Sequence, residues 1–377
     1  MTAKRFLLIA SYANSLINFR WHFMKALQDA GFEVHAAAPD LPAHSEVRQW
    51  LEARGIRVHE IPMQRNGLNP LRDLVTLYAL FRLMRRLVPT HTMGYTIKPV
   101  LYGALAARLA RVPRRFCLIT GLGYVFSDRP AGLKRRLMRS LVERLYRLAI
   151  ACCHKVFFQN PDDLALFRER GLLGRTPAVV VNGSGVDTRH YAPVPLPEAP
   201  SFVLISRLLG DKGVREYAEA ARQIRVEYPQ ARFQLVGYLD ANPDAITDEE
   251  LQRWIADGRL EYLGRLKDVR PALAASSTFV LPSAYREGVP RTILEALAMG
   301  RAIITTDMPG CRETVRDGDN GYLVAARSVP SLVQAIRRMI EQPVLLERMG
   351  RRSREIALDK YDVTRVNAVM LKEMGVS

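Results

Sequence analysis

Two glutamates eight positions apart, Glu287 and Glu295, lie in the segment 281–315, LPSAYREGVPRTILEALAMGRAIITTDMPGCRETV. Glu287 precedes Gly288-Val289-Pro290, where the free N–H groups of a starting helix favour an anion such as a phosphate. Pro290 suits a first helical position, because the N–H it lacks would be unpaired there anyway. Glu295 falls in the run Ile293–Met299, otherwise apolar, where an ionised group is costly unless something pairs with it. A vicinal diol, such as a ribose 2′,3′-OH pair, offers two donors to one carboxylate. One acid could therefore hold a sugar, the helix start a phosphate, and the other acid a ribose. The plainer alternative is a solvated loop glutamate and a helix glutamate that snorkels or pairs with an arginine. Spacing alone leaves both open.

Two cations sit in comparable places. Ser206-Arg207 closes an apolar run, and Gly210-Asp211-Lys212-Gly213 leads into a helical pattern. A cation at a strand end and another just before a helix are well placed for a diphosphate. Lys212 by itself also reads as an ordinary surface lysine. Asp317-Gly318-Asp319 has metal-binding spacing but stands alone between a helical start and a strand, and reads as a turn. Cys117, Cys152, Cys153 and Cys311 show no paired ligand spacing. No metal site and no cofactor are expected, and a reducing cytoplasm fits.

The elements that must hold these residues alternate between strand and helix in both halves. Strands are expected at Phe6–Ser11, Val34–Ala38, Val58–Ile61, Phe116–Thr120 and Val156–Gln159. The second set is Phe202–Ser206, Phe233–Val236, Tyr262–Leu263, Phe279–Leu281, Ile303–Thr305 and Tyr322–Val324. Helices between them include Phe19–Ala30, Leu71–Leu87 and Leu101–Ala110. Such alternation predicts parallel, doubly wound sheets, with ligands beyond the carboxyl ends of the strands. The proline-rich stretch 192–200 marks the boundary. The expected division is a Rossmann-like domain over 1–190, a linker at 191–200, a second Rossmann-like domain over 201–355, and a helix within 356–377 returning to the first domain.

In the first half, four loops follow strand positions: Ser11–Asn18 leading to Phe19-Arg20, Met63–Pro70, Tyr95–Pro99 and Ile119–Gly123. Asn69 and Pro70 have the types of an N-cap and a first helical residue. Gly121 and Gly123 allow backbone to approach a ligand, although Gly-Leu-Gly without a third glycine is a weak dinucleotide signal.

The segment E-G-V-P…L-E-A…G followed by P-G-C-R-E closely resembles the donor-site signature of the retaining glycosyltransferases of family 4. The resemblance extends to Arg207…Lys212-Gly213. It covers nearly the whole chain through Asn18-Phe19-Arg20, Arg65…Asn69-Pro70, Thr96-Ile97-Lys98-Pro99 and Gly121-Leu122-Gly123. Those four stretches are similar to a branch that builds bacterial lipid-linked surface glycans and includes N-acetylgalactosaminyltransferases. The resemblance implies the GT-B fold, an α/β architecture of two doubly wound Rossmann-like domains facing across a cleft. It implies retaining, metal-independent transfer of a hexose or N-acetylhexosamine from a nucleotide sugar, UDP-linked, to a polyprenyl-diphosphate-linked sugar. Glu287 would contact the donor hexose, with Arg207 and Lys212 holding the diphosphate. Glu295 would bind the ribose, Gly288, Val289 and Pro290 the phosphate, and Arg265 and Leu266 would border the base. Asn18, Arg20, Arg65, Lys98, Thr120, Gly121 and Gly123 would line the acceptor side. Many members carry a histidine in the third loop, where this chain has Ile97-Lys98.

Charge is divided unevenly along the chain. Of the 377 residues, 1–190 hold 29 Lys+Arg against 13 Asp+Glu, whereas 191–377 hold 26 against 25. The first half is therefore expected to face an anionic surface or substrate. Residues 129–150 are the most basic, with Leu133, Leu137, Leu141, Leu145 and Ala149 at helical spacing. They read either as an interfacial helix on anionic lipid or as a packing helix with a solvated face. No uncharged apolar run reaches spanning length, and Phe6–Ala10 reads as a buried strand rather than a secretory leader. A peripheral enzyme on the inner face of the cytoplasmic membrane is the resulting expectation. The alternatives are a sugar-nucleotide epimerase of the same architecture and a basic non-enzymatic protein that binds nucleic acid or a membrane surface. No aromatic-interleaved basic patch supports nucleic acid.

Overall fold

The computed structural model describes residues 4–64, 67, 69–122, 133–240 and 242–376. The chain forms two compact units, one running to Ser184 and resuming at Thr364, the other Gly185–Val363.

The first unit alternates β1 (Arg5–Ile9), α1 (Asn14–Asp29), β2 (Glu33–Ala38), α2 (Glu46–Glu52), β3 (Arg57–Glu60), α3 (Pro70–Leu87) and β4 (His91–Tyr95). It continues with α4 (Ile97–Leu109), β5 (Arg114–Ile119), α5 (Leu133–Ala151), β6 (Lys155–Phe158), α6 (Pro161–Glu169) and β7 (Ala178–Val180). All strands pair in parallel, in the order β3-β2-β1-β4-β5-β6-β7. Winding in both directions from β1 is the doubly wound arrangement, and right-handed crossovers place α3, α4 and α5 on one face. Leu80, Val100, Val142 and Tyr146 from those three helices share one core cluster. Phe23 of α1 and Leu51 of α2 share the other, which holds Phe6 and Leu8 of β1.

The second unit comprises β8 (Ser201–Ile205), α7 (Val214–Glu227), β9 (Arg232–Val236), α8 (Asp248–Ala256), β10 (Glu261–Tyr262), α9 (Arg270–Ala274) and β11 (Thr278–Leu281). Next come α10 (Arg291–Ala298), β12 (Ala302–Thr306), β13 (Gly321–Val324), α11 (Val329–Glu341) and α12 (Pro343–Ile356). Its sheet is again wholly parallel, β10-β9-β8-β11-β12-β13. Strands buried on both faces must be apolar along their whole length, and Phe279, Val280 and Leu281 of β11 are at most 1% exposed. The last helix, α13 (Val363–Met374), buries Met370 and Met374 in the core cluster of β1 and α1.

Three features depart from the sequence reading. Two further strands, β4 and β7, lie in the first sheet. Helix α1 begins at Asn14 rather than near Phe19, because Ser15 satisfies its hydroxyl on the Tyr12 carbonyl and on the Tyr95 hydroxyl (2.7 Å). The proline-rich stretch packs within the second unit, where the Arg301 guanidinium donates to the Pro195 carbonyl at 3.4–3.5 Å. The division itself falls earlier, at Ser184–Gly185.

Candidate active site

In the second unit β8 lies between β9 and β11, so the loops after β8 and β11 flank the point where the strand order reverses. Ligands bind there in open parallel sheets. After β8 the chain passes Arg207 and a short 3-10 turn, Gly210–Lys212, before α7. After β11 it passes Ser283 and Glu287 before α10. These two loops meet: the Ala284 N–H donates to the Asp211 carbonyl at 2.9 Å. The Lys212 ammonium and the Glu287 carboxylate form an ion pair, with side chains only 13% and 12% exposed. The Ser283 hydroxyl lies within donating distance of Glu287 Oε1 (3.1 Å) and of the Asp211 carbonyl (3.2 Å). Thr306 Oγ1 fixes the Ser283 carbonyl from β12 at 2.5 Å.

Backbone contact this close needs residues without a Cβ. Gly213 has φ +76°, and a Cβ there would stand 2.2 Å from the Pro282 carbonyl oxygen. Gly310, φ +79°, approaches the other loop: its Cβ would lie 2.1 Å from the Gly288 oxygen. Cys311 beside it is fully buried, and burial together with the Glu287 charge pushes its thiol up to about 12.

Glu295 faces inward from α10 and is 6% exposed. Its Oε1 accepts from Arg291 Nε (2.8 Å), one turn earlier, and from the Tyr191 hydroxyl (3.0 Å). Burial, then the Glu295 charge, raises the Tyr191 phenol above its ordinary value, so it remains a donor. Glu295 is thus paired with an arginine, as in the plainer of the two alternatives. Arg291 was legible as the i−4 neighbour of Glu295, whereas Tyr191 carried no local signal.

The remaining residues expected on the donor side belong to the same unit. Arg207 Nη1 rests on Asp240 at 3.2 Å. Gly288, Val289 and Pro290 are buried at the start of α10. Arg265 is exposed with its guanidinium 5.1 Å from the centre of the Tyr238 ring. Leu266 packs against the cluster that contains Val289 and Ile293. Asp317-Gly318-Asp319 forms a turn in which Asp317 accepts from the Leu323 N–H (2.8 Å) and Asp319 pairs with Arg352 (2.8 Å). No group of three or more His, Cys, Asp or Glu with metal-binding geometry occurs among the described residues.

The first-unit residues are placed less as expected. Arg65 and Gly123 lie outside the described residues. Asn18 and Arg20 are within α1 rather than in a loop and first turn; Asn18 is exposed, while Arg20 is 2% exposed with its guanidinium 5.0 Å from the centre of the Tyr95 ring. Burial pushes the Tyr95 phenol up to about 12. Lys98 belongs to the first turn of α4, not to a loop, and its ammonium is paired with Asp73 at 2.7 Å, both side chains 7% exposed. Thr96, just before α4, has φ +67°, which is rare and strained for a β-branched residue. Its hydroxyl meets Ser11, at the end of β1, at 2.7 Å. Thr120 and Gly121 follow β5, the latter with φ +111°.

Residues 6–160 match the family model described as "Glycosyl transferase 4-like", and residues 199–342 match "Glycosyl transferases group 1". The chain is 30% identical over 92% of its length to the N,N'-diacetylbacillosaminyl-diphospho-undecaprenol alpha-1,3-N-acetylgalactosaminyltransferase of Campylobacter jejuni, covering 92% of that protein. This chain belongs to the family 4-like glycosyltransferases. It is also 28% identical to the UDP-Gal:alpha-D-GlcNAc-diphosphoundecaprenol alpha-1,3-galactosyltransferase of Escherichia coli, over 77% of this chain and 76% of that one. Among solved structures, sucrose-phosphate synthase from Thermosynechococcus elongatus superposes with a TM-score of 0.79 at 18% identity, covering 98% of both chains. Anabaena HepE in complex with UDP-glucose gives 0.77 at 20% identity, over 99% of this glycosyltransferase and 100% of HepE. The fold is therefore GT-B.

Proposed function

We propose that this glycosyltransferase moves a hexose or N-acetylhexosamine from a UDP-linked donor to a polyprenyl-diphosphate-linked sugar. The reaction retains configuration, needs no metal ion, and serves bacterial surface-glycan assembly on the inner, anionic face of the cytoplasmic membrane. The observation that carries the reading is the Lys212–Glu287 pair at the carboxyl ends of β8 and β11, where a parallel sheet binds its ligand. Two relatives whose names specify undecaprenol-diphosphate-linked sugars as acceptors support the acceptor class. The excess of basic residues in 1–190 supports an anionic surface.

Departure of the nucleotide diphosphate builds negative charge on its leaving oxygen. Lys212, Arg207 and the N–H groups at the start of α10 are the donors that would meet it. Lys212 leaves Glu287 for the phosphate, and Glu287 then accepts from hydroxyls of the donor sugar. Glu295, held by Tyr191 and Arg291, takes the ribose diol, while Arg265 and Leu266 border the base. The acceptor hydroxyl attacks from the face that the leaving group vacates and passes its proton to a donor phosphate oxygen, which keeps the configuration. The acceptor side is assigned to Asn18 and Arg20 of α1 and to Thr120 and Gly121 beyond β5.

The test uses labelled UDP-hexoses and UDP-N-acetylhexosamines, purified protein, chelator and a short polyprenyl-diphosphate sugar. Label is expected in the organic phase with the anomeric configuration of the donor. Transfer that stops with chelator removes the metal-free step, and an inverted product removes the retaining one. UDP binding without transfer to any lipid-linked sugar removes the acceptor assignment.

A further inference from the structure

Helix α3 is apolar on two sides. It buries Thr76, Leu80, Leu83 and Met84, yet Leu71, Leu74, Val75 and Tyr78 are 76%, 60%, 54% and 60% exposed. Their i, i+3, i+4, i+7 spacing makes a single outer stripe, running about 10 Å along the axis. Apolar side chains exposed in a row mark a contact surface. The following turns of the same helix turn Arg82, Arg85 and Arg86 outward. Helix α5, which packs on α4 as α3 does, repeats the pattern. Val142, Tyr146 and Ile150 are buried, while Leu137, Leu141 and Leu148 are 63%, 50% and 59% exposed, with Arg144 and Arg147 exposed among them. The acids of both helices are engaged within the unit: Asp73 pairs with Lys98 and Glu143 with Arg170.

We infer that α3 and α5 are the surface on which the protein rests on an anionic lipid bilayer, and that the outer stripe of α3 is its apolar anchor. This deepens the membrane-surface part of the function proposed above and rests on it. Charge chooses the occupant. A second copy would set arginines against arginines, whereas an anionic bilayer supplies both the apolar boundary and the phosphates. Arg82 and Arg86 also line, with Arg48, His59 and Glu60, a cavity of about 410 Å³. A lipid phosphate beside the helix would meet the guanidinium groups of Arg82 and Arg86 there, Arg48 being paired with Glu52 at 2.9 Å.

Co-sedimentation of the full chain with phosphatidylcholine vesicles, alone or mixed with phosphatidylglycerol, tests this. Turnover of a water-soluble, short-chain acceptor is followed in parallel. The wild type is expected to sediment only with the anionic vesicles. Arg85→Gln with Arg86→Gln should lower partitioning by about tenfold or more, each basic residue near the surface contributing on the order of 1 kcal/mol. Leu74→Ser with Tyr78→Ser should lower it by a similar factor while turnover of the soluble acceptor and the circular dichroism stay unchanged. Wild-type protein that ignores anionic vesicles overturns the bilayer itself. Variants that sediment like the wild type overturn α3 as anchor and leave the membrane reading standing. A dimer that these variants abolish makes a second copy the occupant. Loss of turnover on the soluble acceptor moves the stripe into the substrate site.

Discussion

Lys212 and Glu287, 75 positions apart in the chain, close on one another as a nearly buried ion pair between the loops that follow β8 and β11. Removing one partner of a buried pair leaves the other charge less well compensated. An anion bound between these two loops would compete with Glu287 for the lysine.

Glu287→Gln is expected to lower kcat for transfer by about 10²–10³, the scale of losing one preorganised polar contact at a reacting centre. UDP affinity should hold or rise, because Lys212 loses its internal competitor. Lys212→Met should lower both. Steady-state kinetics with calorimetric UDP titration distinguishes them, and near wild-type kcat in Glu287→Gln would remove the glutamate from the reaction.

Gly310→Ala probes the backbone beneath the pair. The new Cβ would meet the Gly288 oxygen at 2.1 Å, and alanine is strained at φ +79°. The loop of Glu287 must move, so donor KM should rise at least about tenfold with a lower Tm, the destabilisation exceeding the ~0.4–1 kcal/mol that a strain-free Gly→Ala exchange would add to stability. Gly318→Ala, also at positive φ (+75°) but with open space around its Cβ, carries the backbone strain alone and should leave KM unchanged.

Acid should weaken the first unit. His59 and His91 are both depressed to about 4, chiefly by burial and then by neighbouring positive charge. The unfolded chain takes up these protons near pH 6.5, the folded chain only near pH 4. Their contribution is thus complete above about pH 6.5 and is lost as the pH falls towards 4. Tm measured from pH 7.5 to 5 should fall, and more shallowly in His91→Phe, which keeps the aromatic contacts with Phe6 and Phe32.

How much of this was legible depends on how local the cause is. The strand end, loop and helix around Glu287 and Glu295 were readable because Pro282 to Gly300 encodes them locally. Strand β4, His-Thr-Met-Gly-Tyr, looks nothing like an apolar run. It is a strand because His91 stacks with Phe6 and Phe116 and meets Phe32 edge-on, and because Gly94 has no side chain to strike the Pro99 carbonyl, which a Cβ would meet at 2.3 Å. The start of α1 was hidden by Asn and Ser residues that favour turns when alone, and the tertiary bond from Ser15 to Tyr95 removes that preference. Lys98 looked like a loop cation because its partner Asp73 lies 25 positions earlier, on another helix.

Tyr191 is the residue whose role only the fold discloses, since it meets Glu295 across 104 positions. Its hydroxyl and Arg291 Nε both donate to Oε1 of Glu295, which fixes the rotamer of the carboxylate and orients its other oxygen. Tyr191→Phe keeps the packing and removes one donor, so its effect should be a rise of a few-fold in donor KM with kcat unchanged, the pattern of lost uniform binding. Glu295→Ala should raise KM further, by about tenfold or more, because the diol loses its acceptor and Tyr191 its buried hydrogen-bond partner. If Glu295 binds the ribose, a 2′-deoxy donor should lose affinity with the wild type and lose nothing further with Glu295→Ala. Equal discrimination against the deoxy donor by both proteins would place the ribose elsewhere.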